Sequence, residues 1–248
     1  MDNYNKRVCV LNEFDKIIGT DNALKAHTRT SSKLHRAYSL FLFAKSKENN
    51  EIQLLMQKRA PSKLVFPNRW TNTICSHPFI NELSFNDPIL DCKRQLLKRL
   101  ECELGISNSK LSSESLIFYD RMMYMSFEKY NKLYGFLGKN VEQQEIDNEL
   151  LDSAASSSLD TVLEPLKFKD TDFQEFEIDY IFFAYLNDFE LNLNPDEACD
   201  ARLMSQKELE NLMKKESFSP WFEMIYSNIK IFQVFEKHLQ KNNAEIVI

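Results

Sequence analysis

The sequence predicts an α+β domain, a mixed sheet with helices packed against it, and three observations carry that prediction. Strand-like apolar runs lie at residues 7–11, 35–44, 51–59 and 176–186. A leucine-striped helix falls between them and further helices follow Ser205. The chain of 248 residues holds 4 Gly against 19 Phe, 9 Tyr and 8 Met, which excludes the glycine-rich phosphate loops of doubly wound dinucleotide folds and P-loop enzymes. With 43% hydrophobic residues there is material for a sizeable core. A net charge of −6 argues against a nucleic-acid partner.

The elements follow in order. Arg7–Leu11 is β-prone, and Ile17, Ile18 and Gly19 read as the return of a hairpin. After a polar loop over 28–33, His35–Ala44 forms a strand, the polar 45–50 stretch turns, and 51–59 returns antiparallel to it. Pro61 and Pro67 bracket a loop, and 71–77 (TNTICSH) is a short strand with its reactive groups at the far end. Asp87 caps a helix that Pro88 opens. Leu90, Leu97, Leu100 and Leu104 set its apolar stripe, and Gly105 stops it. Residues 127–171 are acidic and serine-rich, and read as an insertion with one helix over 142–155. Phe176–Leu186 is a core strand and Ala201–Met204 another. Ser205 and Glu208 form a capping box for a helix through Lys215. A last helix runs from Pro220 or Trp221 toward His238. Without repeats or a linker, 1–248 is one domain.

No apolar run approaches a membrane span. The first residues show no secretory or mitochondrial signal, and the five cysteines contain no CxxC pair. The expectation is a reduced, cytoplasmic protein.

Candidate chemistry clusters in few residues. His27, His35 and His77 lie in the first third, and Glu175 and Glu177, spaced i, i+2, share one face of a strand. Together they suit a divalent Mg²⁺, Mn²⁺ or Zn²⁺ site, or else stand as a strand histidine, a turn histidine and a solvated edge. Cys75, flanked by Asn72, Thr73, Ser76 and His77, is either a reactive thiol or a small buried apolar residue. Lys58, Arg59, Lys63 and Arg69 around one loop, with Arg99 added from the helix, suit a diphosphate clamp as well as a solvated loop. Trp221 offers an indole face to a cation, or packs a helix start. Glu103 sits at the helix end that disfavours acids. Cys9, Cys92, Cys102 and Cys199 read as structural.

AHT at 26–28, LHRAYSLFLF at 34–43, QKRAPSKLVFP at 57–67, RWTNTICSHP at 69–78, KRLECELGI at 98–106, EFEIDYIFF at 175–183 and FSPWF at 218–222 together resemble the type I isopentenyl-diphosphate delta-isomerases of the Nudix superfamily. The resemblance implies a Nudix-type α/β/α sandwich with extra N-terminal strands and a long middle insertion. It also implies small-molecule isoprenoid diphosphates as substrates. It makes Cys75 and Glu177 the catalytic pair, with Tyr124 beside the glutamate and Trp221 facing a cationic intermediate. His27, His35, His77, Glu175 and Glu177 become ligands of one divalent ion, and Glu103 part of a second, Mg²⁺ site at the diphosphate. Arg59, Ser62, Lys63 and Arg99 become diphosphate contacts.

Three departures from the family pattern stand out. Gln174-Glu175-Phe176-Glu177 stands where the family usually has Gly followed by Glu-His-Glu or Glu-Asn-Glu, both acids being kept; the 127–171 stretch is long, and Lys25 is displaced relative to the first histidine. The hydrolytic Nudix box is degraded to RLECELG at 99–105, with leucines at two of its acid positions. That argues against the alternative of a divergent diphosphate hydrolase. Retention of the five ligands and the thiol argues against a catalytically silent interaction module.

Overall fold

The computed structural model describes residues 6–127, 130–141 and 172–245. Six strands make the main path of one sheet: β3 (His35–Lys45), β4 (Ile52–Arg59), β7 (Ile117–Phe127), β8 (Tyr130–Phe136), β9 (Glu175–Tyr185) and β10 (Ala198–Met204), in the order β10-β4-β3-β9-β7-β8. β1 (Arg7–Leu11), β2 (Ile17–Asn22), β5 (Trp70–Thr71) and β6 (Ile74–Ser76) attach beside it. The sheet is mixed because β3 and β9 run parallel at its centre, while β4, β7 and β6 pair antiparallel with their neighbours.

Both faces are covered, and strand alternation decides which side chain goes where. On one face Phe41, Phe43, Ile181 and Phe183 pack with residues of α3 (Gln206–Met213), α4 (Pro220–Asn228) and α5 (Ile231–Glu245). On the other, Leu40, Leu42, Tyr180 and Phe182 pack with Cys92, Leu96, Leu100 and Leu104 of α2 (Pro88–Leu104). The expected α/β/α layering and the extra N-terminal strands are therefore present. No helix among the described residues is long and apolar enough to cross a membrane.

The side chain of Asp87 accepts from the backbone N–H groups of Ile89 and Leu90, and Pro88 begins α2. The stripe facing the sheet differs from the expected one: Cys92 and Leu96 are buried, while Leu90 and Leu97 lie half-buried at its margin. A run of four-residue steps from Cys92 to Leu104 fits the helix as well as the leucines did. Gly105 ends the helix at φ 71°, and a Cβ there would lie 2.6 Å from both Cβ and O of Asn192. Gly105→Ala is expected to destabilise the protein by about 2 kcal/mol or more, the left-handed backbone alone accounting for roughly 1–2. Chemical denaturation checks this.

Three further expectations are corrected. The last helix is two, because Ile229 is extended (φ −122°, ψ 123°) between α4 and α5. Ser227 and Asn228, weak helix formers whose side chains bond to carbonyls of the preceding turn, end α4. The 127–171 stretch, expected to hold one helix, also holds a strand: Tyr130–Phe136 pairs along β7. The helix expected over 142–155 lies outside the described residues. Finally, Cys102 and Cys199 are exposed rather than structural, while Cys9 and Cys92 are buried as expected.

One buried ionic cluster ties the N-terminal hairpin to the sheet. Asp15, at φ 62° in the β1–β2 turn, accepts at Oδ1 from Arg36 Nη2 (2.7 Å). Its Oδ2 accepts from Arg121 Nη1 (2.7 Å) and from the Tyr180 hydroxyl (2.5 Å). The carboxylate thus contacts β3, β7 and β9 at once.

Candidate active site

The site begins as a row across three strands. Register places His35 of β3 opposite Glu177 of β9, and Glu177 opposite Tyr124 of β7. All three are buried. Tyr124 donates to Glu177 Oε2 at 2.5 Å. Glu175 and Asp179 flank Glu177 on the same strand face, as the i, i+2 spacing requires. Cys75 enters beside this row because β6 pairs with β3 through Cys75 opposite Ser39. Ser39 in turn donates to Asp179 (2.7 Å).

Two histidines come from outside the row. α1 (Ala23–His27) is a single short turn capped by the Asn22 side chain, which accepts from the N–H groups of Leu24 and Lys25. The Gln174 N–H donates to the His27 carbonyl (2.9 Å), holding the end of α1 at the start of β9. His77 follows β6 and meets Glu177 Oε1 at 2.8 Å.

His27, His35, His77, Glu175 and Glu177 each present one ligand atom, and these five atoms all lie within 4.8 Å of one another. The Nδ1 of His27 bonds the Ala23 carbonyl (2.6 Å) and that of His35 the Lys33 carbonyl (2.7 Å), which aims both Nε2 atoms inward. Such backbone bonds are the usual way a metal-ligating imidazole is oriented. Two of the inward atoms, His35 Nε2 and Glu175 Oε2, are buried without a hydrogen-bond partner. Three imidazoles and two carboxylates converging with orphaned lone pairs fit a divalent cation.

The electrostatics agree. Burial and the Glu177 charge push Glu175 up, whereas for Glu177 burial is outweighed by the neighbouring His35 and His77, which hold it well below the usual carboxylate range. Burial opposes charge on His27, yet Glu175 and Glu177 lift it to about 9. Burial lowers His77 to about 4. Burial and then Asp179, Glu177 and Glu175 push the Cys75 thiol well above its usual range.

The predicted diphosphate contacts fall into two groups. Lys63 Nζ donates to Glu197 Oε2, and Arg99 reaches Glu197 Oε1 (3.2 Å) and Glu103 Oε1 (2.7 Å). Gln57 donates to the other Glu103 oxygen (3.0 Å). Glu103 is not part of the five-ligand group. Arg59 instead donates to the carbonyls of Phe66 (3.0 Å) and Val65 (2.7 Å), and its guanidinium lies 5.2 Å from the centre of the Trp221 ring. Ser62 is exposed beside the Asp196 carbonyl (3.5 Å). Trp221 is buried, with its indole N–H donating to Asn72 Oδ1 (3.2 Å).

No family model matches the chain. The isopentenyl-diphosphate delta-isomerase of Aspergillus fumigatus is 31% identical over 233 residues, covering 90% of this chain and 69% of that protein. That of Gibberella zeae is also 31% identical, covering 90% and 73%. The chain belongs to the isopentenyl-diphosphate delta-isomerase family. A plant isopentenyl-diphosphate delta-isomerase, from Clarkia breweri, is 28% identical and covers 96% of this chain and 70% of its own length. Among solved structures, DR0079 of Deinococcus radiodurans gives a TM-score of 0.49 at 15% identity, covering 90% of this chain and 98% of its own. The Nudix hydrolase RenU of M. smegmatis gives 0.43 at 13% identity, covering 84% and 93%.

Two residues at this site escape sequence reasoning, and a third, Asn72, enters it only as a polar neighbour of Cys75. Glu197 sits between Lys63 and Arg99, and Asp179 touches Ser39 beside the thiol. Asn72 carries the Trp221 bond. Only Asp179 left a usable trace, continuing the i, i+2 acid pattern of Glu175 and Glu177.

Proposed function

We propose that the protein interconverts isopentenyl and dimethylallyl diphosphate by moving protons on and off the isoprenoid double bond. The observation that supports this best is a thiol, Cys75, placed on the same sheet face as a carboxylate, Glu177, that is bonded to Tyr124 and His77 and lies 3.5 Å from His35. Family membership points the same way.

An unactivated terminal alkene needs a proton added at C4 and another removed at C2, through a species resembling a tertiary carbocation. Two groups acting on opposite faces do this without either having to travel. Glu177 and Tyr124, joined by the hydrogen bond at Oε2, serve the protonation at C4. Cys75 exchanges with C2. Because the reaction is reversible, donor and acceptor swap with its direction. Trp221, fixed by Asn72, lays its indole against the cation. The buried walls around it exclude water that would trap the cation as an alcohol.

His27, His35, His77, Glu175 and Glu177 would hold one divalent ion, Mg²⁺, Mn²⁺ or Zn²⁺. The ion would supply positive charge to offset the carboxylates that push the Cys75 thiol up. Glu103 would contribute to a Mg²⁺ position at the diphosphate, with Lys63, Arg99, Arg59 and Ser62 as the contacts of that end. Free cysteines support a reducing, cytoplasmic setting.

The test is incubation with isopentenyl diphosphate and Mg²⁺ in D₂O, followed by NMR. Dimethylallyl diphosphate carrying solvent deuterium at C2 and in the methyl groups is the expected result. Phosphate release without isomerisation would replace this reading with a hydrolase.

A further inference from the structure

We infer that Glu197 is a positioning residue for the diphosphate end of the site: it holds Lys63 and Arg99 together as one anion cradle. This rests on the reading that those two cations meet the diphosphate. Glu197 Oε2 accepts from Lys63 Nζ while its Oε1 lies 3.2 Å from Arg99 Nη2. The three side chains are only 12%, 19% and 16% exposed, in the order Glu197, Lys63, Arg99. Two cations brought this close, half out of water, repel each other. A carboxylate between them removes the repulsion and fixes both long side chains in one arrangement.

The backbone shows the same joint. The Ala60 N–H donates to the Glu197 carbonyl (3.0 Å), tying this segment to the loop that carries Lys63. The N–H groups of Asn192 and Asn194 donate to the carbonyls of Leu104 and Glu103 (both 2.9 Å), tying it to the end of α2 that carries Arg99. Residues 192–197 therefore connect two parts of the chain that share no strand pairing, and Glu197 places its charge at their meeting point. A diphosphate entering there finds its cations already ordered, which removes an entropic cost from binding.

The charge count makes the inference discriminating. Lys63 and Arg99 are balanced by Glu103 and Glu197, so removing the Glu197 charge leaves the cradle net positive. Charge alone would then tighten anion binding, whereas loss of order loosens it.

The experiment measures inorganic pyrophosphate binding with Mg²⁺ by calorimetry, alongside steady-state isomerisation, for the full chain and its variants. Glu197→Gln is expected to weaken pyrophosphate about tenfold and raise KM similarly, with kcat within about twofold. Glu197→Asp keeps the charge but cannot span both cations, and is expected to lose roughly threefold. Unchanged or tighter pyrophosphate binding in Glu197→Gln overturns the inference. If that variant does not fold, unchanged binding in Glu197→Asp overturns it instead. Lys63→Met tests the underlying reading separately: wild-type pyrophosphate binding in that variant removes Lys63 from the diphosphate end whatever Glu197→Gln shows.

Discussion

Cys75→Ala is expected to lower isomerisation by about a thousandfold or more while the fold stays intact. Losing a group that must itself accept or give a proton removes roughly 10²–10⁴ in rate, and no other thiol can substitute. Among the described cysteines Cys9 and Cys92 are buried, and Cys102 and Cys199 are exposed on other elements. Cys75 is half-buried at the edge of its cluster, so truncation removes one sulfur and leaves the Cys75–Ser39 strand pairing in place. The cost in stability should be no more than about 1 kcal/mol. Steady-state assays by NMR, with Cys102→Ala as the control, check the first part, and thermal melting checks the second. Activity within tenfold of the unaltered protein in Cys75→Ala would remove the thiol from the mechanism.

Asp15→Asn is expected to destabilise the protein by about 3–5 kcal/mol, because it leaves two buried guanidinium groups without their counter-charge. The substitution keeps the size of the side chain and its tolerance of the left-handed backbone at φ 62°. Only the charge and its bonding pattern change. Arg36 and Arg121 are 3% and 6% exposed and cannot recover the loss by turning to water. The Lys58–Glu216 pair, with side chains 25% and 41% exposed, provides the contrast. Glu216→Gln should cost less than about 1 kcal/mol. Urea titration of the two variants side by side tests the difference. Equal midpoints would show that the Asp15 cluster is not what anchors the hairpin.

Much of the site was legible because strand periodicity is simple. Glu175 and Glu177 had to share a face once 176–186 was read as a strand, and His35 had to start the strand it starts. The rest depended on contacts that spacing does not encode. α1 is one short turn with too few residues to show a period, yet it alone aims His27. β7 has no clean polar–apolar alternation, since Met122 and Tyr124 on its buried face alternate with Met123 and Met125 on the half-buried one. Tyr124 therefore came from family resemblance and not from pattern. Glu197 sits in a polar turn that looks like any solvated loop, and its role depends on what the end of α2 and the Lys63 loop bring to it. The break between α4 and α5 carries neither proline nor glycine, so an unbroken helix was the natural reading.

The parallel pairing of β3 with β9 has a consequence for the order in which the molecule assembles. His35 sits opposite Glu177 although 142 positions separate them along the chain. A contact of that reach forms only after a long loop has closed, which makes it a slow event in folding. A slip of one residue in that pairing would turn Glu175, Glu177 and Asp179 to the opposite face of the sheet. The ion-binding group therefore comes into existence only with the correct register. Metal uptake during refolding should appear late, in step with the last phase of native structure, and a spectroscopically visible divalent ion would serve as a stopwatch for the closing of the sheet.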